Sequence, residues 1–204
     1  LEFRRVLFRS CNIELPFNFV ELDPLYSVNI SGNPKTFHLY KDMDKLSEQF
    51  KDIEPDFKVK MERYLNEKGK FFHSTIDVVI KNNFDSLADY FIKLARLNLL
   101  YTPLLLRSFW QDVKKHFDSA EAQQIISLVA FFLGRTPFDT MAIYTLLSYT
   151  EFKHDGYYNV EGGMYKIVEG MVKELQKENV VIHYNTEITG FEADKNKLIH
   201  LADK

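Results

Sequence analysis

The groups in this sequence with chemistry to offer are few: a glycine pair, six histidines, one cysteine and scattered carboxylates. Gly162-Gly163 closes the turn-rich run GYYNVEGGM and opens a stretch with apolar residues at Met164, Ile167, Val168, Met171, Val172 and Leu175. Paired glycines let a backbone approach another group closely, and free amides at a helix N-terminus favour an anion. A tight turn before a packed helix uses the same residues, so both readings stand at this point. His38, His73, His116, His154, His183 and His200 lack metal-ligand spacing, and no metal site is expected. Cys11 has no second cysteine to pair with and reads as a plain thiol. The sequence carries no Gly-rich dinucleotide turn after a strand, no P-loop, no H-E-x-x-H and no G-x-S-x-G.

The elements that must position these groups are set by spacing. LDPLYSVNI (22–30) and TFHLY (36–40) flank the turn residues Gly32, Asn33 and Pro34 and predict a hairpin. Asp42 predicts a helix N-cap, and Pro55 opens a longer helix with Phe57, Met61, Tyr64 and Leu65 on one face. The pattern stays helical to Leu100, with a break at Asn82–Asn83, and Pro103 interrupts the next segment. Further helices are expected over 107–117, from Asp118 or Ser119 to Leu133, and from Pro137 to Tyr149. Ile125, Ile126, Val129, Phe132 and Leu133 form the stripe of the second, which Gly134 ends. After the periodic stretch at 164–175, VVIHY (180–184), TEITGFEA and KLIHLA read as three short strands.

The expected class is therefore α+β: a mainly helical part with a β-hairpin at its start, then a turn, a helix and strands. With 46 % apolar residues over 204, a sizeable core can be buried. A net charge of −3 leaves no basic excess, so nucleic acid is not an expected partner. The longest apolar run, 128–133, is far short of the ~20 residues of a spanning helix.

Two stretches carry a family resemblance: FFLGRTPFDTMAIYTLLSYTE (131–151) and GYYNVEGGMYKIVEGMVKELQKENVVIHYNTEITGF (156–191). Together they resemble the FAD-dependent carotenoid desaturases of the bacterial phytoene desaturase type, within the amine-oxidase-like flavoprotein superfamily. F-L-G-x-x-P followed by I-Y-x-L is the narrower signal, and G-G-M, helix, strand and hairpin is shared across the superfamily. LDPLYSV (22–28) resembles the segment that enters the family's substrate domain. The resemblance runs over 12–204. It implies a substrate domain at 11–155 and, at 156–204, a partial return into the FAD-binding domain. It also implies FAD as cofactor, with Gly162, Gly163, Glu187 and Ile188 on its side. The main FAD-binding turn is expected upstream of this stretch, so the chain reads as the middle of a larger enzyme.

On the substrate side the resemblance implies Phe132, Tyr144 and Tyr158. Asp118 and Gln123 match the slots of an acidic residue and an arginine that position substrate or handle a proton. The sequence departs from the family pattern at Gln123, and at Tyr158, Asn159, Val160 and Glu161, where a Trp, an aromatic, a Pro and a basic residue are usual. The implied reaction removes two hydrogens from a saturated C–C unit of a polyisoprenoid such as phytoene, a hydride to the flavin and a proton from the neighbouring carbon. The other readings are a protoporphyrinogen-oxidase-like or amine-oxidase-like flavoenzyme and a free-standing helical module for an apolar ligand.

An apolar substrate implies a peripheral entrance at a membrane surface, on the cytoplasmic, inner face. LNLLYTPLLLRSF (97–109), beside Trp110, reads either as that entrance or as a buried segment broken at Pro103. Residues 1–10, LEFRRVLFRS, are the translation of CTG GAG TTC AGA CGT GTG CTC TTC CGA TCT, which resembles a short-read sequencing adapter. They are expected to be non-native and to pack on nothing.

Overall fold

The computed structural model describes residues 17–76, 86, 103–194 and 197–203, without the side chains of Leu105, 193–194 and 197–203. Residues 1–10, Cys11, the break at Asn82–Asn83 and all of 97–102 lie outside the described residues. The described residues divide into two compact units, one within 20–159 and a second made of 17–19 with those from Val160 onward.

In the first unit, β2 (Tyr26–Asn29) and β3 (Thr36–Leu39) form the expected antiparallel hairpin, pairing Tyr26 with Leu39 and Asn29 with Thr36. This register turns Phe37 and Leu39 inward, since alternate residues share a face. Helix α1 (Met43–Glu48) starts where Asp42 accepts from the backbone N–H groups of Asp44 and Lys45. Helix α2 (Phe57–Thr75) buries Phe57, Met61, Tyr64, Leu65 and Lys68 along one face. Phe50 stacks on Phe57 with ring centroids 4.0 Å apart, joining the hairpin side of the core to α2.

Pro103 does not merely interrupt: it opens α3 (Pro103–Leu106), the first-turn position where a missing N–H costs nothing. Leu104 is buried with Phe71, Phe72, Ala142 and Leu146 in a second cluster. The helix expected over 107–117 is shorter, α4 (Phe109–Val113), because the Ser108–Gln111 capping box sets its start after Arg107. Helix α5 (Ala120–Ser127) starts at Ser119 and continues as a 3₁₀ helix, Leu128–Leu133, closed by Gly134 at φ 68°.

The stripe expected on α5 splits. Ile125, Ile126 and Val129 are buried, whereas Phe132 is 64 % exposed. The 3₁₀ winding takes 3.0 residues per turn in place of 3.6, so five residues rotate the stripe by about 100°. The segment after Pro137 is likewise not one helix. It passes from a 3₁₀ helix (Ala142–Thr145) through α6 (Leu146–Tyr149) into a π-helical turn (Thr150–His154).

Strand β1 (Phe19–Glu21) pairs with β4 (Tyr158–Val160). In the second unit Phe17 and Val160 are buried with Phe19 and Ile167 packed against them. Helix α7 (Tyr165–Lys177) comes next, then an antiparallel pair, β5 (Ile188–Asp194) and β6 (Lys197–Asp203). Residues 180–184 are not a strand, contrary to expectation: a strand exists only as a ladder, and these residues have no ladder partner among the described residues. The overall class, helices with short antiparallel strands, is α+β.

Candidate functional site

The π turn after α6 carries one extra residue per turn, and turns of this kind recur at functional sites. It points Glu151 and Phe152 into the unit, leaving Glu151 only 3 % exposed. The Tyr26 hydroxyl, at the start of β2, donates to Glu151 Oε1 at 2.5 Å. Oε2 is buried and has no hydrogen-bond partner among the described residues. The surroundings are aromatic. The Tyr157 ring lies 5.9 Å from that of Tyr26, and Phe132 meets Tyr157 edge-on at 5.7 Å.

Burial in this setting pushes Glu151 up to about 7, with the Tyr26 hydrogen bond working weakly the other way. The Tyr26 and Tyr157 hydroxyls are both held above the usual tyrosine range, by burial first and then by the Glu151 charge. Glu151 forms no ion pair among the described residues. A carboxyl with these properties exists in both forms near neutral pH and can take or release a proton at Oε2.

The site residues expected from the sequence fall in several places. Asp118 reaches out to Lys60, 2.7 Å away, with its side chain exposed. Gln123 is buried and donates through Nε2 to the carbonyls of Phe117 (2.8 Å) and Asp118 (3.2 Å). Glu54 completes this connection, accepting from the backbone N–H groups of Asp118 and Ser119 and from Ser119 Oγ. Burial would raise the Glu54 carboxyl, but Lys60, Ser119 and the backbone donors hold it below the usual range. These polar groups fix the α4–α5 connection, and none is a hydrogen-bond partner of Glu151.

Of the substrate-side residues, Phe132 lies against the Tyr26–Glu151–Tyr157 group through Tyr157. Tyr144 is exposed on its 3₁₀ helix, and Tyr158 is half-buried in β4. In the second unit Gly162 and Gly163 adopt φ of 79° and 95°, left-handed values that a side chain rarely takes. The Lys166 stem lies over Gly162, while a Cβ on Gly163 would meet open space. Glu187 is exposed and Ile188 begins β5.

Glu151, Tyr26 and Tyr157 were not singled out from the sequence, although TLLSYTE, LDPLYSV and GYYNV contain them. The available signal was a lone carboxylate inside an apolar run at 141–152.

A second feature is a set of exposed apolar side chains in the first unit. Phe131, Phe132, Phe138, Met141 and Leu106 are exposed, with the Trp110 ring 5.2 Å from that of Phe138. Among the described residues no helix is long and apolar enough to cross a membrane.

No family model matches the chain. Curated proteins do. The chain is 27 % identical over 199 residues to a phytoene desaturase of Fusarium fujikuroi, covering 93 % of this chain and 33 % of that protein. It is 25 % identical over 173 residues to a carotenoid 3,4-desaturase of Haloarcula japonica, covering 84 % of this chain and 34 % of that protein. A 4,4'-diapophytoene desaturase of a Methylomonas species is 21 % identical over 170 residues, covering 83 % of the chain and 32 % of that protein. The chain spans about a third of the length of the curated relatives it matches. These similarities are low in identity but extend over most of the chain, and the relatives named are phytoene, diapophytoene and carotenoid desaturases. The resemblance is to the phytoene desaturase-type family.

Proposed function

We propose that the protein containing this chain is a flavin-dependent desaturase that dehydrogenates an apolar polyisoprenoid such as phytoene in carotenoid biosynthesis. The observation that carries this is the match over 93 % of the chain to a phytoene desaturase. Residues 11–155 act as the substrate domain and 156–204 as a return into the FAD-binding domain, a division supported by the change of unit at Asn159/Val160.

The second unit suits an FAD neighbour in one respect: Gly162 and Gly163 give a backbone without Cβ atoms at the entry to a 13-residue helix, open above Gly163. Gly162, Gly163, Glu187 and Ile188 are the residues that would line it. When bound, a flavin supplies the hydride acceptor. Phe132, Tyr144 and Tyr158 offer aromatic wall to the substrate, which has no polar handle and must be aligned by shape. Asp118 and Gln123 serve this alignment indirectly, by fixing the connection into α5 from which Phe132 emerges. The exposed surface around Phe131, Phe138 and Leu106 supports a peripheral position on the inner face of a membrane, where such a substrate resides.

The test is anaerobic mixing of the full-length protein, loaded with FAD, with phytoene in liposomes. Bleaching of the oxidised flavin with formation of a product of longer conjugation is expected. A flavin that stays oxidised with phytoene and with its partly desaturated products would overturn the reading.

A further inference from the structure

We propose that Glu151 is the proton acceptor of the dehydrogenation and that Tyr26 is its positioning residue. This rests on the desaturase reading above. Removing two hydrogens across a saturated C–C bond takes one away as hydride and the other as a proton, and a polyisoprenoid carries no group of its own to receive the proton. The protein must supply a base in apolar surroundings.

The buried carboxylates differ in how much of them is free. Asp112 is occupied by Lys68 and Arg107, and Glu54 by Lys60, Ser119 and two backbone N–H groups. Glu151 binds Tyr26 through Oε1 alone, and Oε2 is the one buried side-chain nitrogen or oxygen without a hydrogen-bond partner among the described residues. Leaving such an atom unmet costs about 1–3 kcal/mol, so folding alone gives no reason to place it there. Tyr26, its hydrogen-bond partner, has its ring beside that of Tyr157, which in turn meets Phe132, and such rings are surfaces suited to an alkyl chain.

The electron count closes. One C–H bond gives up its hydrogen with the bonding pair, the oxidant being a bound oxidised flavin. The carbon left electron-poor acidifies the C–H of its neighbour, which brings a carboxylate within range as base. Oε2 forms an O–H bond with that proton, and the pair of the broken C–H bond becomes the new C=C bond. The proton then passes to solvent, restoring the carboxylate. Tyr26, by donating to Oε1, leaves the lone pairs of Oε2 for the substrate and favours the ionised form. Among the described residues, the titratable groups that interact with Glu151 are the hydroxyls of Tyr26, Tyr157 and Tyr64, none of them cationic.

Two measurements test this on the full-length protein. The first is the rate of anaerobic flavin bleaching by phytoene as a function of pH. The wild-type rate should rise with pH about a midpoint near 7, the value to which Glu151 is pushed. Glu151→Gln should slow bleaching by about 10²-fold or more and flatten the profile. Glu151→Asp should restore part of the rate, and Tyr26→Phe should move the midpoint upward, a shift that a merely structural tyrosine would not cause.

The second measurement needs neither cofactor nor substrate: difference infrared spectra should show a buried carboxyl titrating near neutral pH in the wild type and absent in Glu151→Gln. Glu151→Gln that bleaches at the wild-type rate, or a wild type without that carboxyl band, overturns the proposal and leaves the desaturase reading standing. A wild type that phytoene does not bleach removes both. Should Glu151→Gln fail to fold, the Tyr26→Phe midpoint decides: a shift supports the proposal, and an unmoved midpoint overturns it.

Discussion

Between the usual glutamate value of 4.5 and the value of about 7 that Glu151 reaches, the folded chain holds a proton that the unfolded chain has released. In that window stability falls as pH rises, by about 1.4 kcal/mol per pH unit and about 3 kcal/mol in all, and it levels off above 7. Glu67 works in the opposite sense. The His116 hydrogen bond holds it at about 2, so its contribution is present above 4.5 and is lost only as pH falls towards 2. The two therefore act in separate windows. Urea unfolding of the protein at pH 5 and pH 8 should show a lower midpoint at pH 8, and Glu151→Gln should remove most of that difference. Equal wild-type midpoints would show that the carboxyl is charged in both states. None of this was legible in the sequence. Tyr26 and Glu151 are 125 residues apart, and no local period announces a contact over such a distance.

Helix α2 shows how a local preference is overruled by a neighbour. Glycine inside a helix ordinarily costs about 1 kcal/mol relative to alanine. At Gly69, however, an added Cβ would lie 2.6 Å from one atom of the Tyr149 ring and 3.0 and 3.1 Å from two others. That ring is held by Phe72 and by the hydrogen bond between its hydroxyl and His73, so it has little freedom to retreat. Gly69→Ala should lower stability by about 1–3 kcal/mol, read as a lower thermal midpoint. A raised midpoint would mean that the ring swings aside. Legibility at this scale divides along the same line. Asp42, Ser119 and Gly134 were readable as helix ends because capping is settled within three or four residues. The 3₁₀ winding after Ser127 and the π turn at Thr150 were not, because packing from elsewhere decides how tightly those turns close. VVIHY has the composition of a strand, yet composition does not supply a partner.

For the whole molecule, the membrane attachment proposed above rests on the exposed apolar side chains of the first unit. The 97–109 segment, which the sequence leaves open between a membrane entrance and a buried segment, divides among its described residues: Leu104 is 7 % exposed and belongs to the core, whereas Leu106 is 84 % exposed. A charge at Leu104 would unfold the unit; one at Leu106 would not. Leu106→Asp with Phe138→Ser should therefore weaken co-sedimentation of the full-length protein with neutral liposomes by more than about tenfold while leaving its thermal midpoint unchanged. Undiminished binding would exclude this face as the attachment. The make-up of the face also sets the conditions under which attachment holds. An interface made by phenylalanine, methionine and leucine gains its free energy from water released, not from charge neutralised. Raising the salt concentration leaves such attachment in place, and cooling loosens it. A protein held in this way would survive a carbonate or high-salt wash of the membrane fraction and come away on ice or in mild detergent, the reverse of what a basic patch does.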